Sequence, residues 1–373
     1  MGAFRTRGLR QLGGSPPQSL TKPISDVRSA RVTEAVIFGA SGYSGLELLD
    51  ILAGHPAVTV VAASSDRWAG EMVAERLRRW PTDLRFTSHA EVFEATREGQ
   101  IALLAMPAEA SADLAPRLLD RGLRVIDLSG AFRLRDPAAY EEWYGFTHPA
   151  PALLDEAVYG LPELFEVPAD ARLVANPGCY ATATIAACAP LMAHHLLVPG
   201  APLVADGKSG VTGAGRSTKD ELMFPEVQEN LRAYRVGRHQ HTPEVEQALA
   251  AVSGRPVRLC FTAHLIPMRR GILVSVYAPV HRGVSSIEVE RAYKETLGGH
   301  PFMAWVDRPP ETAPVRGTNF VEVHARVEPR TQMVCAFAAI DNLGKGAAGQ
   351  AVQNLNLLLG LPEATGLLPA GDA

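Results

Sequence analysis

The 373 residues include four cysteines, Cys179, Cys188, Cys260 and Cys335, and the neighbours of Cys179 single it out for chemistry. It stands in Asn176-Pro177-Gly178-Cys179-Tyr180-Ala181-Thr182-Ala183-Thr184. Pro-Gly makes a sharp turn, and the small residues after it begin a helix. A cysteine at a helix N-terminus faces the positive end of the dipole, which lowers a thiol pKa and favours thiolate. Thiolate is the form that attacks a carbonyl carbon. Cys188, Cys260 and Cys335 lie within apolar runs and read as small buried hydrophobes. None of the four forms a CxxC pair, so neither a zinc site nor a dithiol couple is indicated. Few, scattered cysteines without a secretory signal suit a reduced, intracellular protein.

A nucleophile of this kind needs a proton carrier and a partner for the developing oxyanion. Gly237-Arg238-His239-Gln240-His241-Thr242-Pro243-Glu244 offers two histidines two residues apart, whose side chains share a face if the segment is extended. The pair reads as a catalytic imidazole set, as surface histidines or, with Glu244 the one ligand type nearby, as a metal pair. Lys208-Ser209-Gly210-Val211-Thr212-Gly213-Ala214-Gly215-Arg216 reads as a glycine-rich loop with basic ends, able to hold a phosphate or carboxylate through backbone N–H groups and cations. It lacks the GK[ST] ending of an ATP-binding P-loop. Arg133, in Asp127-Leu128-Ser129-Gly130-Ala131-Phe132-Arg133, follows an apolar strand-like run, a place where parallel sheets hold ligands; it is otherwise an ordinary loop cation.

A second constellation points to a dinucleotide. Gly39-Ala40-Ser41-Gly42-Tyr43-Ser44-Gly45 joins an apolar run to a helical one. Such a turn lets the backbone approach a pyrophosphate, to which the helix N-terminus then donates N–H groups. The spacing is GxxGxxG rather than GxGxxG, and a tight ligand-free turn would use the same residues. At the end of the next run, where NAD sites carry an acid for the ribose, this chain has Ser64, Ser65 and Arg67. Hydroxyls with a guanidinium suit a 2′-phosphate and so NADP, unless Asp66 reaches the ribose or Arg67 is merely solvated.

The elements that must position these groups follow from periodicity. Ala35–Phe38, Val58–Ala63, Ile101–Ala105 and Leu123–Asp127 read as buried strands, with helical stretches at Leu46–Leu52 and Ala110–Asp120. Their alternation predicts a parallel sheet covered on both faces. Beyond about Val174 the pattern turns to a mixed α+β region with strands near Leu203–Ala205, Ile272–Tyr277 and Met333–Ile340, then a helix over Ala347–Leu359. The formal net charge of -4, with 47% hydrophobic and 20% charged residues, disfavours nucleic acid or anionic membrane as partner. No uncharged apolar run reaches the roughly 18 residues of a membrane span. Residues 1–31 differ: Met1–Ile24 carries Arg5, Arg7, Arg10 and Lys22 and no acid, which reads as a disordered extension or an organelle transit peptide.

Together these segments resemble the N-acetyl-γ-glutamyl-phosphate reductase family, relatives of aspartate-semialdehyde dehydrogenase. The carriers are GASGYSGLELL (39–49), DLSGAFRL (127–134), NPGCYATA (176–183), SGVTGAGR (209–216), VGRHQHTPEVEQ (236–247), HLIPMRRGI (264–272) and DNLGKGAAGQAVQN (341–354), spanning Val32 to about Leu359. The resemblance implies an α/β fold: a Rossmann-type NADP-binding domain (32–178 and 342–373), completed by a C-terminal helix, and an inserted α+β catalytic and oligomerisation domain (179–341). It implies Cys179 as nucleophile, His241 or His239 as acid/base, and Arg133 and Arg216, with Ser209, Gly210 and Glu244, around the anionic substrate. Asn342, Gly344, Lys345 and Gly346 would return to the cofactor beside Gly178 and the glycine turn. The implied reaction is NADPH-dependent reduction of N-acetyl-L-glutamyl 5-phosphate to the semialdehyde through a Cys179 thioester, without metal, in a cytoplasmic homodimer or homotetramer. A lysine-pathway paralogue acting on a carrier-linked aminoadipyl phosphate carries nearly the same motifs. Aspartate-semialdehyde dehydrogenase fits less well, because Arg270-Gly271 has no histidine after it where that enzyme places its base. A NADP-binding sensor without catalysis is the non-enzymatic alternative, against which Cys179 and both histidines argue.

Overall fold

The computed structural model describes residues 32–78 and 80–368; the leader 1–31 lies outside them. The first sheet is formed by β1 (Thr33–Phe38), β2 (Val58–Ser64), β3 (Phe86–Thr87), β4 (Ile101–Leu104), β5 (Arg124–Asp127), β6 (Val158–Tyr159) and β7 (Leu173–Ala175). Their order is β3-β2-β1-β4-β5-β7-β6, every pair parallel. Both faces of this sheet are covered, which is why β4 is buried at all four residues and reads as an uninterrupted apolar run. One face packs Ile37 and Leu103 against Leu48 and Leu49 of the first helix (Tyr43–Leu52) and Val352 and Leu355 of the last helix (Gly349–Leu358). The other packs Val36, Phe38 and Leu104 against Leu118 of the helix Ala108–Asp120. Strand order reverses between β1 and β4, so a crevice opens at their C-terminal ends, the ligand position of open parallel sheets.

The second sheet comprises β8 (Leu203–Gly210), β9 (Arg232–Tyr234), β10 (Leu259–Ile266), β11 (Ile272–Pro279), β12 (Met303–Trp305), β13 (Val321–Glu328) and β14 (Met333–Ile340). Its order is β12-β13-β14-β11-β8-β10-β9, with β8 parallel to β10, β12 parallel to β13 and the remaining pairs antiparallel. The helix Cys179–Ala193 lies in its core, buried from Tyr180 to Leu191. Its small residues let it approach Val274 and Val276 of β11 and Ala336 of β14.

Three expectations change here. Lys208, Ser209 and Gly210 are the last residues of β8 rather than a loop. Cys260 is exposed, because β10 alternates and its apolar neighbours face inward while it faces out. Only Cys188 of the three background cysteines is fully buried. Among the described residues no helix is long and apolar enough to cross a membrane.

Candidate active site

Cys179 is the first residue of its helix and follows β7 across an extended Asn176–Gly178 link, so it stands where the chain passes from one sheet to the other. It lines a cleft of about 1090 Å³ that also reaches the glycine turn, Arg133 and both His239 and His241. That volume matches the upper end of ordinary small-ligand pockets, about 300–1,000 Å³. His241 is the first residue of a second helix, His241–Ser253, whose start is turned toward the first. The two meet at Gly178: a Cβ there would lie 2.7 Å from both Cδ2 and Cε1 of His241, and closer still to Nε2. Only glycine permits that approach.

Glu244, one turn into the same helix, ties the corner together. Its Oε1 accepts from Gly178 N (2.8 Å) and from Tyr159 Oη (2.8 Å), and its Oε2 lies 3.4 Å from Arg133 Nη1. With both oxygens engaged and no exposed surface, Glu244 is a brace rather than a substrate or metal ligand. Arg133 is itself fixed, donating from Nε to Asn176 O (2.8 Å) and from Nη2 to Leu128 O (2.8 Å), with Nη1 3.5 Å from His241 Nε2. Burial alone would weaken its hold on the proton, but Glu244 and then Tyr144 and Asp127 more than offset this and keep the guanidinium charged.

The electrostatics reverse one expectation. Burial pushes the Cys179 thiol up to about 11, against the opposing pull of the Tyr180 backbone N–H and of Arg133, with Glu244 adding to the rise. The residue keeps part of its surface open to the cleft, yet protein surrounds the sulfur, and desolvation beats the helix dipole. The resting sulfur is a thiol. Burial, then His239 and Arg133, push the His241 pKa well below the usual imidazole value, so its ring rests neutral. His239 lies 4.8 Å away ring to ring, accepts the His241 backbone N–H at Nδ1 (3.2 Å) and is lowered to about 4 by burial and Arg235. The two histidines sit on a turn entering a helix, not on an extended segment, but their rings are together.

The glycine turn has the features a pyrophosphate requires. Gly39 has φ 79°, and a Cβ on it would overlap the Ala105 carbonyl. No side chain caps the first helix, and its first turn holds no acid, so its N-terminal dipole is uncompensated. Ser41, Gly42, Tyr43 and Ser44 line the cleft, as do Arg67, Gly178, Asn342 and Gly346. Arg216 does not join Arg133. Its Nη1 reaches Ser41 O (3.3 Å), and its guanidinium lies 4.7 Å over Trp68 and 5.6 Å over Tyr43, at the glycine-turn end of the cleft.

Several expected contacts point elsewhere. Gly45 is needed for packing against Gly39 and Ala40. Ser64 Oγ accepts from Gly39 N (3.2 Å) and bonds His89 Nδ1 (2.7 Å), and Ser65 caps the turn Asp66–Trp68. Asp66 Oδ1 accepts from His89 N (2.9 Å). Ser209 bonds its neighbour Gly210 O (3.1 Å), and Gly210 is pressed against the Arg269–Arg270 backbone. Gly344 abuts Thr318 O. Lys345 is fully buried on a π-helical turn, Gly344–Ala348, where it pairs with Glu163 (2.5 Å) and Gln353 (2.6 Å). That turn aims Lys345 into the interior and leaves only Gly346 facing Cys179; a Cβ on Gly346 would come within 2.9 Å of the Cys179 Cβ.

Residues that sequence reasoning passed over also line the cleft: His89, Met106, Pro107, Tyr144 and Tyr234. Met106 and Pro107 directly follow β4 and could have been found from the switch-point rule. His89 opens a helix marked by the capping box Ser88–Glu91, a readable signal. Tyr144 and Tyr234 carried none.

Residues 34–171 match the semialdehyde dehydrogenase NAD-binding domain, and residues 179–342 match the semialdehyde dehydrogenase dimerisation domain. N-acetyl-gamma-glutamyl-phosphate reductase of Thermus thermophilus is 47% identical over 90% of this chain and 99% of its own. The enzyme of that name from Symbiobacterium thermophilum is 45% identical over 90% and 97%. Among solved structures, aspartate semialdehyde dehydrogenase II of Vibrio cholerae shares the fold with TM-score 0.65 at 18% identity, covering 88% of this chain and 99% of that one. With Cys179 and both imidazoles gathered in a cleft beside the glycine turn, and with relatives this similar over nearly their whole length, the chain belongs to the N-acetyl-γ-glutamyl-phosphate reductase family of semialdehyde dehydrogenases and is a reductase.

Proposed function

We propose that the chain uses NADPH to reduce N-acetyl-L-glutamyl 5-phosphate to N-acetyl-L-glutamate 5-semialdehyde and phosphate, through a thioester on Cys179, in arginine biosynthesis. The observation that carries this reading is Cys179 lining one cleft with a neutral His241, a charged Arg133 and the glycine turn. In the first half-reaction the sulfur bonds to the γ-carbonyl carbon as its proton passes to His241 Nε2. The carbon–oxygen bond to the phosphoryl group then breaks, and phosphate leaves with that proton. Bound nicotinamide would supply a hydride to the thioester carbon. His241 then delivers a solvent-derived proton as the carbon–sulfur bond breaks, returning Cys179 to the thiol and releasing the aldehyde. Arg133, beside His241 and held on three sides, offsets the negative charge of the phosphoryl group and of the oxyanion.

NADP rather than NAD is favoured by Arg67 in the cleft, Arg216 beside the glycine turn and Asp66 occupied by His89. The two sheets would correspond to a cofactor domain, 32–178 with 342–373, and a catalytic and dimerising domain, 179–341, in a cytoplasmic homodimer or homotetramer. The test is phosphate-dependent NADP reduction by N-acetylglutamate 5-semialdehyde. Cys179→Ser should bind NADPH normally and turn nothing over; Arg67→Ala should raise KM for NADPH about tenfold and leave that for NADH unchanged. Turnover by Cys179→Ser would exclude the thioester, and preference for the lysine-pathway aldehyde would move the substrate.

A further inference from the structure

One polar atom facing the cleft has no role in the reading above. Tyr144 follows the short helix Ala138–Trp143, and the hydroxyl end of its ring stands against Gly130, where any Cβ would overlap Cε1, Cζ and Oη. Tyr140 at 5.4 Å and Phe146 at 6.4 Å hold that ring by its edges. The Tyr144 hydroxyl is buried, and the polar side chain beside it is Arg133, whose guanidinium can only donate, so the phenol proton meets no acceptor among the described residues. A buried donor without an acceptor costs about 1–3 kcal/mol, and here the side chain borders the same cleft as Arg133 and Cys179.

We propose that the Tyr144 hydroxyl donates a hydrogen bond to an anionic oxygen of the substrate, a carboxylate or phosphoryl oxygen seated beside Arg133, and so helps to set substrate specificity. The inference rests on the acyl-phosphate reading. The chemistry is matched: burial keeps the phenol neutral, a donor at any working pH, and the nearby Arg133 opposes that shift without reversing it. Gly130, in the DLSGAFR segment, is then required because any Cβ there would displace the hydroxyl end of the ring. The ring is held by aromatic neighbours and not by its hydroxyl, so removing the oxygen should leave the fold intact.

The experiment is Tyr144→Phe in the full-length protein, with calorimetric titrations of inorganic phosphate and of N-acetylglutamate alongside steady-state kinetics. The expected result is a melting temperature no lower than wild type, an unchanged NADPH affinity, a KM for the acyl phosphate about tenfold higher, and weaker binding of one probe. Loss on phosphate assigns the hydroxyl to the phosphoryl group; loss on N-acetylglutamate assigns it to a carboxylate. Unchanged binding of both probes and unchanged KM would overturn the inference while leaving the function standing. A wild-type protein without NADPH-dependent turnover would instead remove the reading beneath it.

Discussion

A resting thiol at the nucleophile position is a quantitative statement. With its pKa pushed up to about 11, Cys179 at pH 7.5 is ionised to about 3 parts in 10,000. An unperturbed thiol of pKa about 8.5 is about one-tenth ionised at that pH, a ratio of about 300. Part of this is recovered, because a more basic thiolate is a better nucleophile: with a Brønsted slope of about 0.4–0.5, the gain is about tenfold to twentyfold. Iodoacetamide should therefore alkylate Cys179 in the free enzyme about 20-fold more slowly than an ordinary thiol, and the rate should rise tenfold per pH unit from 7 to 10. Exposed Cys260 will react in parallel, so the two sites must be followed as separate peptides by mass spectrometry. A plateau for Cys179 above pH 8 would mean a preformed thiolate. It would refute the argument that desolvation outweighs the helix dipole here, and with it the need for His241 to remove the proton.

Gly178→Ala would drive a methyl group into the His241 ring; kcat should fall about 100-fold with NADPH affinity retained, and an unchanged kcat would show that His241 is not the base. His239, lowered to about 4, binds its proton more weakly folded than unfolded. The unfolded chain therefore gains the proton first as pH falls, and stability should drop by about 2 kcal/mol between pH 6.5 and 5. Urea unfolding across that window should show at least that loss, and His239→Asn should remove about 2 kcal/mol of it while leaving the part due to His241, whose pKa is also lowered. Lys345→Met strands the buried Glu163 charge and should cost about 3–5 kcal/mol by urea unfolding; adding Glu163→Leu should restore most of it, and no recovery would mean the pair is not an isolated unit.

The first sheet was legible because buried parallel strands announce themselves as continuous apolar runs, as Ile101–Leu104 does. Two-residue strands such as β3 and β6 have no period to detect. β13, by contrast, alternates as Val321-Glu322-Val323-His324-Ala325 with every second residue buried, a signal that was present and unread. The site was legible in its residue types and less so in its directions. Gly210, with Gly213 and Gly215, suggested a glycine-rich loop, whereas Gly210 is a strand position pressed against the Arg269–Arg270 backbone. Lys345 lies one residue from Gly346, which touches Cys179, and a single residue step along a helical turn is enough to change which way a side chain faces. Nothing local to the motif says which way it turns. The thiol's state was misjudged for a related reason: the dipole is readable from helix position, but the burial that overrides it is a property of the assembled core.

The chain crosses between the two sheets at Asn176–Cys179 and comes back through Asp341–Gly346, and Gly346 rests against Cys179. The Glu244 contacts to Tyr159, Gly178 and Arg133 close the same corner from the side of the second sheet. Cys179 lies at this double crossing, while Arg216 and the Trp68 face it covers lie at the glycine-turn end of the cleft. A side chain held where two chain crossings meet takes its neighbours from both bodies, so the setting of that sulfur belongs to the seam as a whole and to neither sheet alone.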